Sequence, residues 1–272
     1  RETVAAPARD DVEAFSRERY RPNAAALLFV GDIDAETARR LAERHLADWT
    51  AGDVPATDFD VAPGVESRTI FVVDRPGSVQ SEIRIGDVGV SRHHPDYFRL
   101  VVMNAILGGV FTSRLNMNLR ERHGFTYGAR SGFAFRKKPG PFTVQAAVAT
   151  DVTARALEEA IREIELLRED GATEAEVENA RDYLVGVQPL RLQTTGQLAA
   201  QLADLVVYDL PDDYFLQYRD RIAAVTPDDV LRVAREHLRP ERHAIVIVGD
   251  AKRIVPPLEA LGKGPVVVEG SD

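Results

Sequence analysis

The residues best suited to chemistry lie between positions 115 and 133, in the stretch LNMNLRERHGFTYGARSGF. Arg120 and Tyr127 stand seven residues apart, on either side of Gly124. A guanidinium and a phenol are both hydrogen-bond donors, and two donors directed at one oxygen can bind a peptide carbonyl or stabilise an oxyanion. A surface Arg followed by a half-buried strand Tyr would show the same spacing. The spacing indicates a candidate site and leaves both interpretations open.

The glycine pair Gly108-Gly109, in LGGVFTS, lies just before this stretch. Neither phosphate-binding pattern, G-x-x-x-x-G-K-[ST] or G-x-G-x-x-G, occurs in the chain. The G-x-S-x-G nucleophile elbow is also absent. On local grounds the two glycines favour a helix C-cap followed by a tight turn.

The histidines form no recognisable metal motif. Neither H-E-x-x-H nor its inverse H-x-x-E-H is present. His93 and His94 are adjacent before Pro95, and a solvated loop is the favoured interpretation because adjacent side chains rarely converge on one ion. The sequence therefore predicts no metal site within this chain. The complete set of histidines is His45, His93, His94, His123, His237 and His243.

Composition narrows the class of protein. The 272 residues are 44% hydrophobic and 28% charged, which is ordinary globular usage. The net charge of −9 is interspersed along the chain, so a nucleic-acid partner is not expected. Cysteine is absent, and no run approaches the roughly 18 consecutive apolar residues of a membrane span. The start, RETVAAPARDD, lacks a signal-peptide core and an initiator Met, so a soluble fragment or processed piece is expected. The sequence does not indicate its cellular location.

Part of the chain is repeated. Residues 10–32, DDVEAFSRERYRPNAAALLFVGD, align without a gap to residues 228–250, DDVLRVAREHLRPERHAIVIVGD, with 11 of 23 positions identical. The offset, 228 − 10 = 218, far exceeds a solenoid repeat of ~20 to 50 residues and indicates a duplicated domain. Only the end of the first copy would then be present, with roughly 150 residues expected before it. Each copy predicts a helix, a Pro-marked turn and a buried strand.

The rest of the pattern predicts the elements that position the candidate residues. TIFVVDRPG and VQSEIRIGDVGV predict two strands, and alternation around Pro139-Gly140 predicts a hairpin. Helical spacing predicts helices that stop at Gly108-Gly109, Gly124 and Gly171. This combination indicates an α+β fold, a mainly antiparallel sheet covered by helices. The predicted limits are 1–53 for the end of the first repeat, 54–67 for a linker, 68–262 for a complete second repeat and 263–272 for a tail.

The segments DRPGSVQSEIRIG and HHPDYFRLVVMNAILGGVFTSRLNMNLRERHGFTYGARSGF resemble the second-domain signature of the pitrilysin/insulinase family of zinc metallopeptidases. Residues 10–49 are similar to the end of that family's first domain, so the likeness covers essentially the whole chain. The resemblance implies paired α+β domains. One domain of the family holds zinc with an H-x-x-E-H helix and a downstream Glu, and its companion supplies an Arg and a Tyr.

Arg120 and Tyr127 match the spacing of that companion pair. The resemblance implies that they are catalytic, donating hydrogen bonds to a substrate carbonyl near the scissile bond and stabilising the tetrahedral intermediate formed by zinc-bound water. Gly108 and Gly109 correspond to the place where processing-peptidase relatives carry a longer glycine-rich substrate loop, so they are predicted to bind substrate. No cofactor is expected in this chain, and zinc is expected in the missing first-domain region or on a partner subunit.

The function implied is the zinc-free, carbonyl-binding portion of a zinc endopeptidase that acts on peptides and is inactive alone. Its expected partners are a peptide substrate and a zinc-motif-bearing domain or subunit, in a homo- or heterodimer. Two alternatives belong to other classes. One is a non-catalytic partner or scaffold subunit, resembling the core proteins of bc1 complexes or the non-zinc subunits of processing peptidases. The other is a stand-alone peptide-binding domain.

Overall fold

A computed structural model describes residues 2–61 and 63–269. The chain forms two compact units. The first comprises residues 1–60 and 189–212, and the second comprises residues 61–188 and 213–272. All the predicted site residues lie in the second unit.

The second unit is built on one sheet with helices, and the first unit is helical in its described residues. The strands are β1 (Thr69–Asp74), β2 (Gln80–Val88), β3 (Ala129–Phe133), β4 (Pro141–Ala149), β5 (Ala244–Gly249) and β6 (Val266–Glu269). The α-helices are α1 (Glu2–Ala5), α2 (Arg9–Arg19), α3 (Ala35–Leu46), α4 (Tyr97–Asn104), α5 (Arg114–Asn116), α6 (Thr153–Asp170), α7 (Glu174–Val187), α8 (Thr195–Val207), α9 (Tyr214–Ala223), α10 (Pro227–His237) and α11 (Ala251–Ala260).

The strand order in the sheet is β3-β4-β2-β5-β1-β6. The pairs β3/β4, β4/β2 and β2/β5 are antiparallel, whereas β5/β1 and β1/β6 are parallel. Burial alternates along β2 and β4, so one face of the sheet carries the core. These observations confirm the predicted α+β fold and its mainly antiparallel sheet. The predicted hairpin is β3/β4, with Pro139-Gly140 in its turn.

The two copies of the repeat fold alike only in part. Both form the helix, α2 or α10, and a short 3-10 turn at Pro22–Ala24 or Pro240–Arg242. In the second copy, residues 244–249 form β5, which lies between β1 and β2. The prediction of a strand in the first copy is wrong, because residues 25–30 adopt no regular structure. A strand needs neighbours that satisfy its backbone groups, and the described residues of the first unit contain no strand.

The end of the chain carries a further element. Residues 266–269, within the segment predicted as a tail, form the edge strand β6 and pair with β1. The predicted repeat limits of 1–53, 54–67 and 68–262 stay predictions, since the compact units are defined by contacts rather than by the repeat.

The helical region Tyr97–Arg122 leads to the candidate site. By length and composition it could cross a membrane, but 56% of its most apolar window is buried inside the fold. Leu100, Leu107, Leu115 and Leu119 are fully buried, which is the usual environment of a core helix. Its apolar character is thus explained by packing.

Candidate functional site

The helix that precedes the site ends against strand β3. After α4 the chain continues as a π-helical turn, Ala105–Gly109. A Cβ atom on Gly108 would lie 2.5 Å from the backbone nitrogen of Ser131 and 2.6 Å from its Oγ. Only glycine permits this close approach. The helix end therefore packs directly on the strand, and the prediction that the helix stops at Gly108-Gly109 is confirmed.

The next helical segment ends at Gly124, as predicted. Helix α5 continues into a π-helical segment, Met117–Arg122, which carries Arg120 near its end. Gly124 has a φ of 63°, and its N–H donates to the carbonyl of Arg120 at 3.0 Å. The N–H of Phe125 donates to the carbonyl of Leu119 at 2.8 Å. A left-handed glycine closes the helix in this way and turns the chain toward β3.

Tyr127 lies in the loop before β3, and not in the strand where the sequence places it. Its side chain is 95% exposed. Thr126 shapes the loop, because its Oγ1 accepts from the N–H of Gly128 at 3.1 Å. A half-buried strand Tyr would contribute to packing, whereas this ring contributes almost nothing to the core. The phenol is presented to solvent with its hydroxyl available.

Asn116 joins the two loops around the site. Its Nδ2 donates to the carbonyl of Phe111 at 2.7 Å, and its Oδ1 accepts from the N–H of Ala129 at 3.1 Å. The side chain is buried, so each bond replaces water that cannot reach these backbone groups. The sequence analysis missed this residue. A buried Asn on an otherwise apolar helix face is the signal that could have identified it.

Arg120 lies on the other side of Phe111. Its guanidinium carbon is 4.3 Å from the centre of the Phe111 ring. Nη1 forms an ion pair with Oε1 of Glu121 at 3.3 Å. This nitrogen is buried and has no hydrogen-bond partner among residues 2–61 and 63–269. Arg120 thus keeps an unused donor.

A cleft of about 340 Å³ brings most of the predicted site residues together. No hydrogen bond or ion pair in the described part of the chain joins Arg120 to Tyr127. Arg120 is not part of the cleft lining, but it contacts Phe111, which is. Another cleft, of about 330 Å³ beside Asp87 and Arg242, contains none of the predicted residues. The lining of the first includes Gly108, Gly109, Phe111, Tyr127, Arg130 and Tyr183.

The residues around the cleft do not fit a peptidase zinc ion. No histidine or carboxylate among the described residues lines it, and the sequence contains no H-x-x-E-H motif. What the cleft offers is a set of hydrogen-bond donors and a glycine-lined floor. Such a surface can hold a carbonyl or an extended backbone.

Comparison with known proteins places the chain in a family. The family described as "Peptidase M16 inactive domain" matches residues 8–184. This match covers more than half of the chain, and the chain belongs to the peptidase M16 inactive domain family. The resemblance found in the sequence is thereby confirmed.

Individual relatives agree with this assignment. A Streptomyces coelicolor protein named "Uncharacterized zinc protease" is 29% identical over 92% of this chain and 55% of its own length. The crystal structure of a peptidase M16 inactive domain from Pseudomonas fluorescens has a TM-score of 0.83 at 24% identity, covering 91% of this chain and 58% of the other. A chain of Complex III2 from Candida albicans has a TM-score of 0.70 at 16% identity, with coverages of 86% and 57%. The chain therefore spans about half the length of the relatives it matches.

Proposed function

We propose that this chain is the zinc-free, substrate-holding portion of a zinc endopeptidase system that acts on peptides. The observation that carries the proposal is the exposed Tyr127 in the lining of one cleft, with Arg120 packed on Phe111 of the same lining. Membership of the inactive-domain family supports it, as does the naming of relatives as zinc proteases.

The proposed role is to bind and polarise a peptide carbonyl. An extended peptide in the cleft would pass beside Gly108 and Gly109, which are part of its lining. Tyr127 and Arg120 would each donate a hydrogen bond to one carbonyl oxygen. As negative charge develops on that oxygen, a donor of this kind contributes about 3 kcal/mol to the transition state.

Hydrolysis needs groups that these residues do not provide. The chain has no zinc motif, so the metal and the water it activates would come from another domain or subunit. The proposed complete site therefore forms only when this chain meets its zinc-bearing counterpart. Alone, the chain is expected not to cleave peptides.

The substitution Tyr127→Phe tests the role of the hydroxyl in the complete, zinc-bearing assembly. It removes one donor from an exposed side chain and leaves packing intact. We expect kcat/KM for a fluorogenic peptide to fall by about 100-fold or more, since loss of one oxyanion donor costs roughly 3 kcal/mol. Tyr183→Phe is the matched control, because Tyr183 lines the same cleft and lies outside the proposed donor pair.

The outcomes of this experiment distinguish the proposed function from its alternatives. An unchanged kcat/KM in Tyr127→Phe, with zinc-dependent cleavage intact, would refute the donor role. Absence of any cleavage by the complete assembly, together with stable subunit association, would favour the scaffold interpretation. The Complex III2 chain shares the fold at 16% identity, and this likeness extends to the fold alone. Peptide affinity without turnover would favour a peptide-binding domain.

A further inference from the structure

Three metal-ligating side chains from separate parts of the sequence meet away from the cleft. His94 lies in the loop before α4, Asp96 is the N-cap residue that precedes α4, and His237 is the last residue of α10. One ligand atom from each lies within 4.8 Å of the others. We infer that His94, Asp96 and His237 form a binding site for a divalent transition-metal ion of the Zn²⁺ type. This inference does not depend on the proposed function.

The spacing of the side chains is close to what such an ion needs. A tetrahedral ion with bonds of about 2.1 Å holds its ligand atoms about 3.4 Å apart. Oδ2 of Asp96 is already 3.7 Å from Nε2 of His237. The rings of His94 and His237 are perpendicular, with centroids 5.0 Å apart, so small rotations would bring a nitrogen of each toward a common point.

A further carboxylate lies beside these three, paired with Arg232. Oε2 of Glu236 lies 3.9 Å from Nε2 of His237, on the side chain that precedes it in α10. Two imidazoles with one or two carboxylates form a typical ligand set for Zn²⁺. A water could complete the coordination where Glu236 keeps its ion pair with Arg232.

His237 carries the strongest independent sign of a missing partner. Its Nε2 is buried and has no hydrogen-bond partner within the described ranges. A buried nitrogen without a partner is unfavourable, and a bond to a metal ion would satisfy it.

The surrounding charges leave room for a cation. Arg232 donates to Oδ2 of Asp96 at 3.0 Å and to Oδ1 at 2.5 Å, which orients the carboxylate as outer-shell partners of metal ligands do. Arg99 is also within 3.3 Å of Oδ1. These two guanidiniums face three carboxylates, because Asp229 pairs with Arg99 and Glu236 pairs with Arg232. The cluster therefore keeps a negative charge, and Oδ2 keeps a second lone pair for an ion.

A bound ion would connect two helices that already pack together. Helices α4 and α10 are in contact, and the ligands stand at the start of one and the end of the other. The ion would stabilise the fold at this junction, because it binds a site that the unfolded chain does not possess.

The test uses Co²⁺ as a coloured substitute for Zn²⁺, added to the 272-residue chain after treatment with a chelator. We expect one Co²⁺ per chain, with visible absorption of a tetrahedral site that is abolished by added Zn²⁺. His94→Ala and His237→Ala should each weaken binding by about 10-fold or more, since removal of even an outer-shell partner costs that much. His93→Ala is the control, because His93 is the exposed neighbour of His94 and no part of the cluster.

Two outcomes would overturn the inference. One is that the wild type binds no more Co²⁺ than His94→Ala does. The other is equal affinity in His93→Ala, His94→Ala and His237→Ala. If circular dichroism shows that His237→Ala does not fold, the Co²⁺ affinity of His94→Ala is the test. His94 is in a partly exposed loop, so this variant is expected to fold. A second readout is the thermal midpoint, which Zn²⁺ should raise in the wild type and in His93→Ala but not in His94→Ala.

Discussion

Buried polar side chains differ in how well they are satisfied. Asn116 makes a bond through each end of its amide and holds the loops that carry Phe111 and Tyr127. His243 is also fully buried, yet neither of its ring nitrogens has a hydrogen-bond partner in the part of the chain that the structure describes. Burial, followed by the nearby charges of Arg68 and Arg239, lowers the pKa of His243 to about 4. This buried site therefore favours the neutral ring over the charged ring.

His243 should make the protein sensitive to acid. Its pKa is about 4 when folded and about 6.5 when unfolded, so the unfolded chain binds the proton first. The contribution of the neutral ring to the free energy of unfolding is fully present above pH 6.5. It falls by roughly 3 kcal/mol as the pH drops from 6.5 to 4. His243→Phe should flatten this part of the pH profile of the unfolding free energy.

Urea unfolding between pH 7 and 4 measures this slope, followed by far-ultraviolet circular dichroism. Trp fluorescence is unsuitable, because the single Trp, Trp49, belongs to the first compact unit. His93→Phe is the control, since His93 is exposed. The same slope in His243→Phe and in the wild type would show that other groups cause the acid sensitivity.

At the scale of elements, π-helical turns and glycines bring the helices onto the sheet edge. The first π-helical turn ends at Gly109, and the second carries Arg120. A π-turn widens the helix by one residue and often occurs at functional sites. Here the first of these turns places Gly108 against Ser131 of β3, and the second is followed by the Gly124 turn that leads to Tyr127. The candidate cleft depends on these two helix ends.

Gly108→Ala should therefore destabilise the protein. Its Cβ would meet the backbone of Ser131 at 2.5 Å, which forces the helix end away from β3. Overpacking of this kind typically costs about 1–3 kcal/mol. The measurement is the urea midpoint, with Gly186→Ala as the control. Gly186 lies in α7, where a Cβ would have no neighbouring atom within 4 Å, so alanine there should be neutral or stabilising by about 0.4–1 kcal/mol. Equal midpoints for the two variants would contradict the packing role of Gly108.

At the scale of the whole molecule, one sequence element has two structures. Residues 244–249 are the strand β5, paired on both sides. Residues 26–30 of the related copy make no backbone hydrogen bond to any described residue. Leu27, Leu28 and Phe29 are 54%, 38% and 41% exposed, whereas Ile245 and Ile247 are fully buried. Both segments are short apolar runs, and their neighbours in the structure differ.

Hydrogen exchange should report this difference directly. Amides of residues 245–248 should be protected for as long as the second unit stays folded, because they lie inside the sheet. Amides of residues 26–30 should exchange within the first time points, since no partner among the described residues holds them. Mass spectrometry of the 272-residue chain measures both segments in one experiment. Similar protection of the two segments would show that residues 26–30 have found strand partners, for example in a second copy of the chain.

Local chemistry made the helix ends predictable from the sequence. Gly124 and Gly171 stop helices through backbone conformations with positive φ, and the capping box of Thr173 and Glu176 starts α7. The hairpin was also accessible, because it depends on residues close together in the chain, whereas the site formed by Arg120 and Tyr127 stays a prediction. Such features need only near neighbours to be satisfied.

Tertiary structure decided the features that depend on distant residues. β5 lies between β1 and β2 because both of these strands are available to pair with it. Residues 25–30 form no strand because no described strand pairs with them. The exposure of Tyr127 depends on a loop held by Asn116, and the meeting of His94 with His237 depends on the packing of α4 against α10. Backbone pairing and the meeting of ligands join residues that are far apart in sequence. Periodicity and spacing along the chain therefore cannot predict these contacts.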